Sequence, residues 1–370
     1  MQAPSVQLEH VGSASAQLVA ELPISPPDGQ NAFMQGDVLF SKLRPYLAKS
    51  LLVTEPLQGT GEFLCLRPTL DLDSRFLKYL TLSRPWLDHA VQSSYGSKMP
   101  RTSWDQMASF QILDIRLEEQ RRIADFLDDR VTRIDKIVAA RQQQSLLLKT
   151  ERANLWDRKI SQVPHHSAPV RHLASKIGSG KTPSGGAEVY VDDGVPLLRS
   201  QNVHNEGLKL QGVALITSEV NAEMRASQVF PRDVLLNITG ASLGRCTWVP
   251  DDAVPMNVNQ HVCIIRPTSA DSATLCMALQ SHRAQDQIRT LQVGGNRDGL
   301  NFEQVGSLIV DLPIDPDVTA KVNRRIRSLD ELQNALARQE ALLQEYKQSL
   351  ITAAVTGEFD VTTASKKIPE

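Results

Sequence analysis

The sequence predicts an α+β protein built twice over. Two β-rich modules are joined by two long helices that form an antiparallel coiled coil, and a pseudo-twofold internal repeat relates the halves. Three observations carry the prediction. Short β-type runs broken by Gly, Pro and Asn fill two long stretches. Each stretch is followed by apolar residues at steps of three and four. Local matches between the halves recur at nearly one offset.

The matches run collinearly. Phe33–Phe40 resembles Val229–Leu236, with Asp37 on Asp233, 196 positions apart. Cys65-Leu-Arg67-Pro-Thr69 falls on Ile264-Ile-Arg266-Pro-Thr268 at 199, and Tyr95–Trp104 on Val293–Phe302 at 198. Ile112-Leu-Asp114-Ile falls on Ile309-Val-Asp311-Leu at 197, and Leu147–Glu151 on Leu342–Tyr346 at 195. Chance supplies one or two such matches, not a collinear series.

In chain order, residues 1–115 form the first module, with runs such as Gly36-Asp-Val-Leu-Phe-Ser41. Residues 116–162 form the first coiled-coil helix, whose seam includes Ile123, Leu127, Ile134, Val138, Arg152 and Leu155. Residues 163–169, Val-Pro-His-His-Ser-Ala-Pro, read as a linker, and 170–314 as the second module. The second helix, 315–356, carries Val322, Ile326, Leu329, Leu343, Lys347 and Leu350 on its seam. Asp315 and Pro316 suit its N-cap and first turn, and Gly357 its stop. A flexible tail, 357–370, closes the chain. If the seams pair within one chain, connectivity makes the helices antiparallel, with a module expected at each end roughly 60 Å apart.

Composition bounds the function. With 370 residues, 41% hydrophobic and 22% charged, the chain is globular and long enough for two or three domains. No stretch approaches the ~20 apolar residues of a membrane helix. Met1–His10 has neither a basic nor an apolar signal region. A soluble, cytoplasmic protein without a membrane partner is expected. Cys65, Cys246, Cys263 and Cys276 form no C-x-x-C pair, so free thiols are expected rather than zinc or a disulfide framework. The net charge of −2 counts mildly against a nucleic-acid binder, although a local patch suffices for one.

Gly36-Asp-Val-Leu-Phe-Ser-Lys-Leu-Arg-Pro-Tyr-Leu-Ala-Lys49, Tyr95–Trp104, Glu119–Asp128 and the Gly178-Ser-Gly-Lys-Thr-Pro-Ser184 loop resemble the specificity subunit of type I restriction–modification systems. The resemblance covers about Leu8 to Gly357 and includes the repeat. It implies two target recognition domains, each reading half of a split double-stranded DNA site. It implies helices that act as a ruler and dock two methyltransferase (modification) subunits and the restriction/translocase subunits. S-adenosylmethionine, ATP and Mg are then expected on those partners and no cofactor in this chain. The sequence departs from the family in one respect. Leu8-Glu-His-Val11 aligns with Ser200-Gln-Asn-Val203, so residues 170–197 have only Met1–Gln7 opposite them. The first target recognition domain is therefore expected to be incomplete at its N-terminus.

The candidate DNA-binding residues follow from side-chain chemistry. Gly178–Thr182 invites a P-loop reading, but position 175 is Ser and Pro183-Ser-Gly-Gly186 cannot continue a helix. Lys181 and Thr182 in a backbone-rich loop fit phosphate contact better, with a plain surface turn as the alternative. Gln201 and Asn202 suit adenine and Arg199 guanine, against a solvated strand end. Lys42 and Arg44 lie beside a β run in the first module. Lys98 and Arg101, opposite Asn296 and Arg297, lie in Gly-rich loops able to approach a backbone. Residues 165–313 hold 12 Lys or Arg against 14 Asp or Glu, so this module alone should bind DNA weakly. No methylase run, nucleotide-binding glycine loop or metal-spaced His cluster is evident, so the chain is expected to be non-catalytic. A coiled-coil scaffold whose end modules bind protein is the alternative function, and a nucleotide enzyme the last.

Overall fold

The computed structural model describes residues 3–24, 31–96, 98–268, 270–292 and 299–361. It divides into two units, Met1–Gln143 with Leu336–Glu370, and Gln144–Ala335. Each unit takes part of each long helix, Leu117–Ile160 and Pro316–Val355.

Strand alternation explains how each unit is layered. In the second unit Val234 and Leu236 point into one core while Leu235 points into another. In the first, Val38 and Phe40 take one side and Leu39 the other. Both strands are buried on both faces, hence their continuous apolar runs. Each is the inner strand of an antiparallel sheet. In the second unit the order is Cys246–Trp248, Val234–Asn237, Val262–Pro267, Ala174–Ser179. In the first it is Ser50–Leu52, Val38–Ser41, Phe63–Leu66, with no described strand beside the last.

A second, mixed sheet packs on the inner face. In the second unit Val195–Leu198 runs parallel to Met256–Val258, flanked by Ala214–Ile216 and Gln228–Val229. In the first, Ser5–Val6 runs parallel to Leu57–Gly59, beside Asn31–Phe33. The outer faces of the antiparallel sheets pack on helices. Leu155, Val322, Ile326 and Leu329 join the second unit's core, and Ile123, Leu127 and Ile351 the first's.

The repeated motifs are structural. Asp37 is 1% exposed and takes two 2.8 Å hydrogen bonds from Arg67 and one from the Met34 backbone N–H. Asp233 is bound in the same way by Arg266 and the Phe230 N–H. The Arg67 hydrogen bond holds the Asp37 carboxyl below its ordinary value despite burial. This ion pair underlies the recurrence of the Asp and the Arg-Pro-Thr run.

Polar breaks in the helical seam are also paired. In the first unit Lys347 Nζ lies 2.8 Å from Asp135; in the second Arg152 Nε lies 2.7 Å from Asp330. These pairs interchange under the repeat and fix an antiparallel register. Asp315 Oδ1 accepts the Asp317 N–H, and Gly357 takes φ +75° after Val355, as the capping residues predict.

Two boundaries differ from expectation. The segment 163–169 is not a free linker, because His165–Pro169 pairs as a strand with Ile309–Pro313. Residues 357–361 are not a free tail: the Phe359 N–H donates to the Ala353 carbonyl and its ring packs on Phe126, while Val361 packs on the first unit's core.

Candidate nucleic-acid interface

In the second unit four strands terminate together. The Asn259 N–H donates to the Leu198 carbonyl and the Gly180 N–H to the Asn259 carbonyl, joining the ends of three strands. The fourth, Val234–Asn237, joins through Asn237, whose amide donates to the Ser200 carbonyl at 2.8 Å. Gly180 is required here, since a Cβ would fall 1.6 Å from the Val258 carbonyl oxygen. Lys181 and Thr182 follow it at the rim. No helix begins at Lys181, and the next element is a 3-10 turn, Gly186–Val189, so the P-loop reading fails.

Gln201 is exposed at the same end, on the 3-10 turn Ser200–Asn202. Arg199 opens the turn, with its guanidinium 5.8 Å from the Tyr190 ring centre. Asn202 does not belong to the interface. It is 2% exposed, its Oδ1 accepts the Arg199 N–H and its amide donates to the Lys209 carbonyl. Its polar groups hold the turn, and its burial turns them away from a base edge. Asn296 and Arg297 lie outside the described residues.

Sequence reasoning missed a polar chain at this end. Thr182 Oγ1 lies 2.6 Å from Gln260 Oε1, Gln260 Nε2 3.1 Å from His261 Nε2, and Thr239 Oγ1 2.6 Å from His261 Nδ1. Arg245, exposed and in no ion pair among the described residues, sits on the Gly240–Arg245 loop beside it. The run Asn257-Val-Asn-Gln-His261, polar at the end of a strand, was the available signal.

The first unit repeats this end with cations. The Thr102 N–H donates to the Lys42 carbonyl as the Leu300 N–H does to Ile238, and the Leu43–Arg101 bridge matches Thr239–Gly299. The structure therefore brings Lys42, Arg44 and Arg101 together, and the Tyr95–Arg101 bridge closes the loop that carries Lys98. Lys42 Nζ donates to the Gly61 carbonyl and Arg101 pairs with Glu62. Arg44 and Lys98 are exposed and form no ion pair among the described residues. Tyr46 and Tyr95, 54% and 56% exposed, flank them.

Arg44 has φ +49° where its repeat counterpart is Gly240 at +73°, and Ala48 has +50° where Gly244 has +83°. A non-glycine residue in this region is strained, and such strain gathers at functional sites. Three buried polar atoms without partners among the described residues lie at these two ends, Thr102 Oγ1, Arg199 Nε and Asn237 Oδ1, and three others lie elsewhere. Among the described residues no group of three or more His, Cys, Asp or Glu is placed to hold a metal. None of the helices searched there is long and apolar enough to cross a membrane.

No protein-family model and no curated protein matches the sequence. Solved structures do. A chain from a study of "complex assembly and conformational transition of the type I R-M system" superposes with a TM-score of 0.71 at 16% identity, covering 96% of this chain and 92% of that one. The HsdS subunit from Thermoanaerobacter tengcongensis superposes with a TM-score of 0.50 at 16% identity, covering 96% and 91%. The chain has this fold, mixed α+β with two long helices packed together.

Proposed function

We propose that the chain is the DNA-specificity subunit of a type I restriction–modification complex, reading a two-part site with its two units. The observation that carries this reading is the repeated set of strand-end loops, which offer Arg44 and Lys98 in one unit and Lys181, Gln201 and Arg245 in the other. Cations in no ion pair among the described residues suit phosphates, and an exposed amide at a turn suits a base edge. Gln201 donates and accepts in the pattern adenine presents, whereas the Lys residues position the duplex.

In this reading the chain is not itself catalytic. Two modification subunits dock on the helices and carry methylation with S-adenosylmethionine, and restriction subunits carry ATP- and Mg-dependent cleavage. Exposed apolar side chains support docking on the helices: Ile137 and Leu147 on the first, and their repeat counterparts Leu332 and Leu342 on the second, 36–63% exposed. The balanced charge of 12 basic against 14 acidic residues in 165–313 makes partners necessary for tight binding.

The test is duplex selection and methylation mapping with the complex reconstituted from modification subunits. Gln201→Ala should relax preference at one or two positions of a single half-site, by about 1–3 kcal/mol per base. Lys98→Ala should weaken all sequences alike and reduce the salt slope by about 0.9. A complex with no duplex preference, or one whose preference ignores Gln201, overturns the assignment.

A further inference from the structure

The turn joining Met256–Val258 to Val262–Pro267 carries Asn259, Gln260 and His261. Asn259 is 9% exposed and ties the turn down on two sides. Its N–H donates to the Leu198 carbonyl, and its own carbonyl accepts the Gly180 N–H. Its Oδ1 accepts the His261 N–H at 3.0 Å, and the His261 carbonyl accepts the Ile238 N–H. Gln260, between the two, is exposed. The backbone beneath it is fixed by three neighbouring strand ends.

The side chain is held as well. The Thr182 hydroxyl donates to Gln260 Oε1 at 2.6 Å, and Gln260 Nε2 donates to His261 Nε2 at 3.1 Å. An amide nitrogen only donates, so His261 Nε2 accepts and the ring proton sits on Nδ1. That Nδ1–H then donates to Thr239 Oγ1 at 2.6 Å. Of the amide's two N–H donors and two carbonyl lone pairs, one of each is used among the described residues. One donor and one acceptor remain, the combination that meets N7 and N6 of adenine in the major groove. A side chain already held at both ends has little rotamer freedom left to lose on contact.

The repeat shows that the fold does not need these side chains. The first unit builds the same turn: the Glu62 N–H donates to Thr60 Oγ1 as the His261 N–H does to Asn259 Oδ1. The Lys42 N–H donates to the Glu62 carbonyl as the Ile238 N–H does to His261. There Gly61 stands for Gln260, Glu62 for His261 and Leu43 for Thr239, and Glu62 pairs with Arg101 instead. The backbone repeats while the tip is rebuilt. Two surfaces that read unlike halves of a site need that difference.

We propose that Gln260 is a second base-reading residue of the second unit, selective for adenine, and that His261 and Thr239 are positioning residues that fix its amide. The inference rests on the proposed DNA-reading function and adds a residue to it.

The test is duplex selection and methylation mapping with the complex reconstituted from modification subunits, comparing variants with the parent chain. Gln260→Ala should lower the preference for adenine at one position of one half-site by roughly 5- to 100-fold. Gln260→Glu keeps an acceptor and loses the donor, so the preferred base at that position should change from adenine to cytosine, whose N4 donates. A change of base identity at one position does not arise from a merely structural role. Thr239→Val keeps the shape but removes the acceptor of the Nδ1 proton. It should weaken the same adenine preference several-fold with affinity for non-specific duplex unchanged, and Thr239→Ser, which keeps the hydroxyl, should retain the preference. If Gln201→Ala alters a position while both Gln260 variants leave every position as it was, the chain reads DNA and Gln260 does not. Equal weakening of all duplexes by Gln260→Ala makes it a backbone contact and likewise overturns the inference. A Thr239→Val complex identical to the parent removes the positioning roles. A parent complex without duplex preference overturns the inference together with the reading on which it rests.

Discussion

Arg44 keeps a left-handed backbone that its repeat counterpart grants to a glycine, and its side chain forms no ion pair among the described residues. The conformation costs an L-residue about 1–2 kcal/mol, so Arg44→Gly should raise stability by about 1 kcal/mol, seen as a higher melting temperature. The same variant should bind duplex more weakly, with a shallower salt dependence, if the cation faces phosphate. A rise in stability with unchanged DNA binding removes Arg44 from the interface. The grouping of Lys42, Arg44 and Arg101 with the loop of Lys98 was legible because these residues lie in runs that the repeat aligns. Asn202 misled because its amide has the right chemistry for adenine but a local use. Its counterpart gave the warning: His10 Nδ1 accepts the Gln7 N–H just as Asn202 Oδ1 accepts the Arg199 N–H. A position filled by two unlike acceptors serves the turn. The Thr239–His261–Gln260–Thr182 chain was legible only in its Asn257–His261 part, since its other members lie on loops distant in sequence.

The helices were the most legible elements, because a three-and-four step sustained over many turns has few other readings. What the period alone could not say is why Arg152 and Lys347 interrupt the seam. They are the cationic halves of two repeat-related ion pairs, and Lys347 is 5% exposed. Breaking such a pair strands a buried charge, whereas exchanging both members restores the neutral sum. Lys347→Asp should therefore destabilise the first unit by about 3–5 kcal/mol. Adding Asp135→Lys should recover a large part of that loss in chemical denaturation. If the double variant is no better than the single, the pair does not set the register. Short strands were less legible. His165-His-Ser-Ala-Pro169 alternates poorly and has no β-branched residue, and it becomes a strand only because Ile309–Pro313 offers an edge.

At the scale of the whole molecule, the two helices are the only described elements whose residues belong to both units, so under the proposed reading of a two-part site they are the natural candidates for setting the gap between its halves. The register identifies residues to remove together. Asp135 meets Lys347 and Gln142 meets Glu340, so residues 140–146 lie across the seam from 336–342. Deleting both heptads keeps the ion pairs and the apolar phase while shortening the helical pair by about 10 Å. At ~3.4 Å per base pair the gap between half-sites should contract by roughly three base pairs. Because the duplex is helical, the same deletion rotates one reading surface around the DNA, so restoring activity requires a spacer near the new length rather than any shorter one. Deleting 140–146 alone puts Asp135 and Arg152 out of register with their partners and should abolish assembly with the modification subunits. Methylation mapping of the paired deletion reads the outcome directly. An active complex with its original gap would mean that the partner subunits, not these helices, set the spacing.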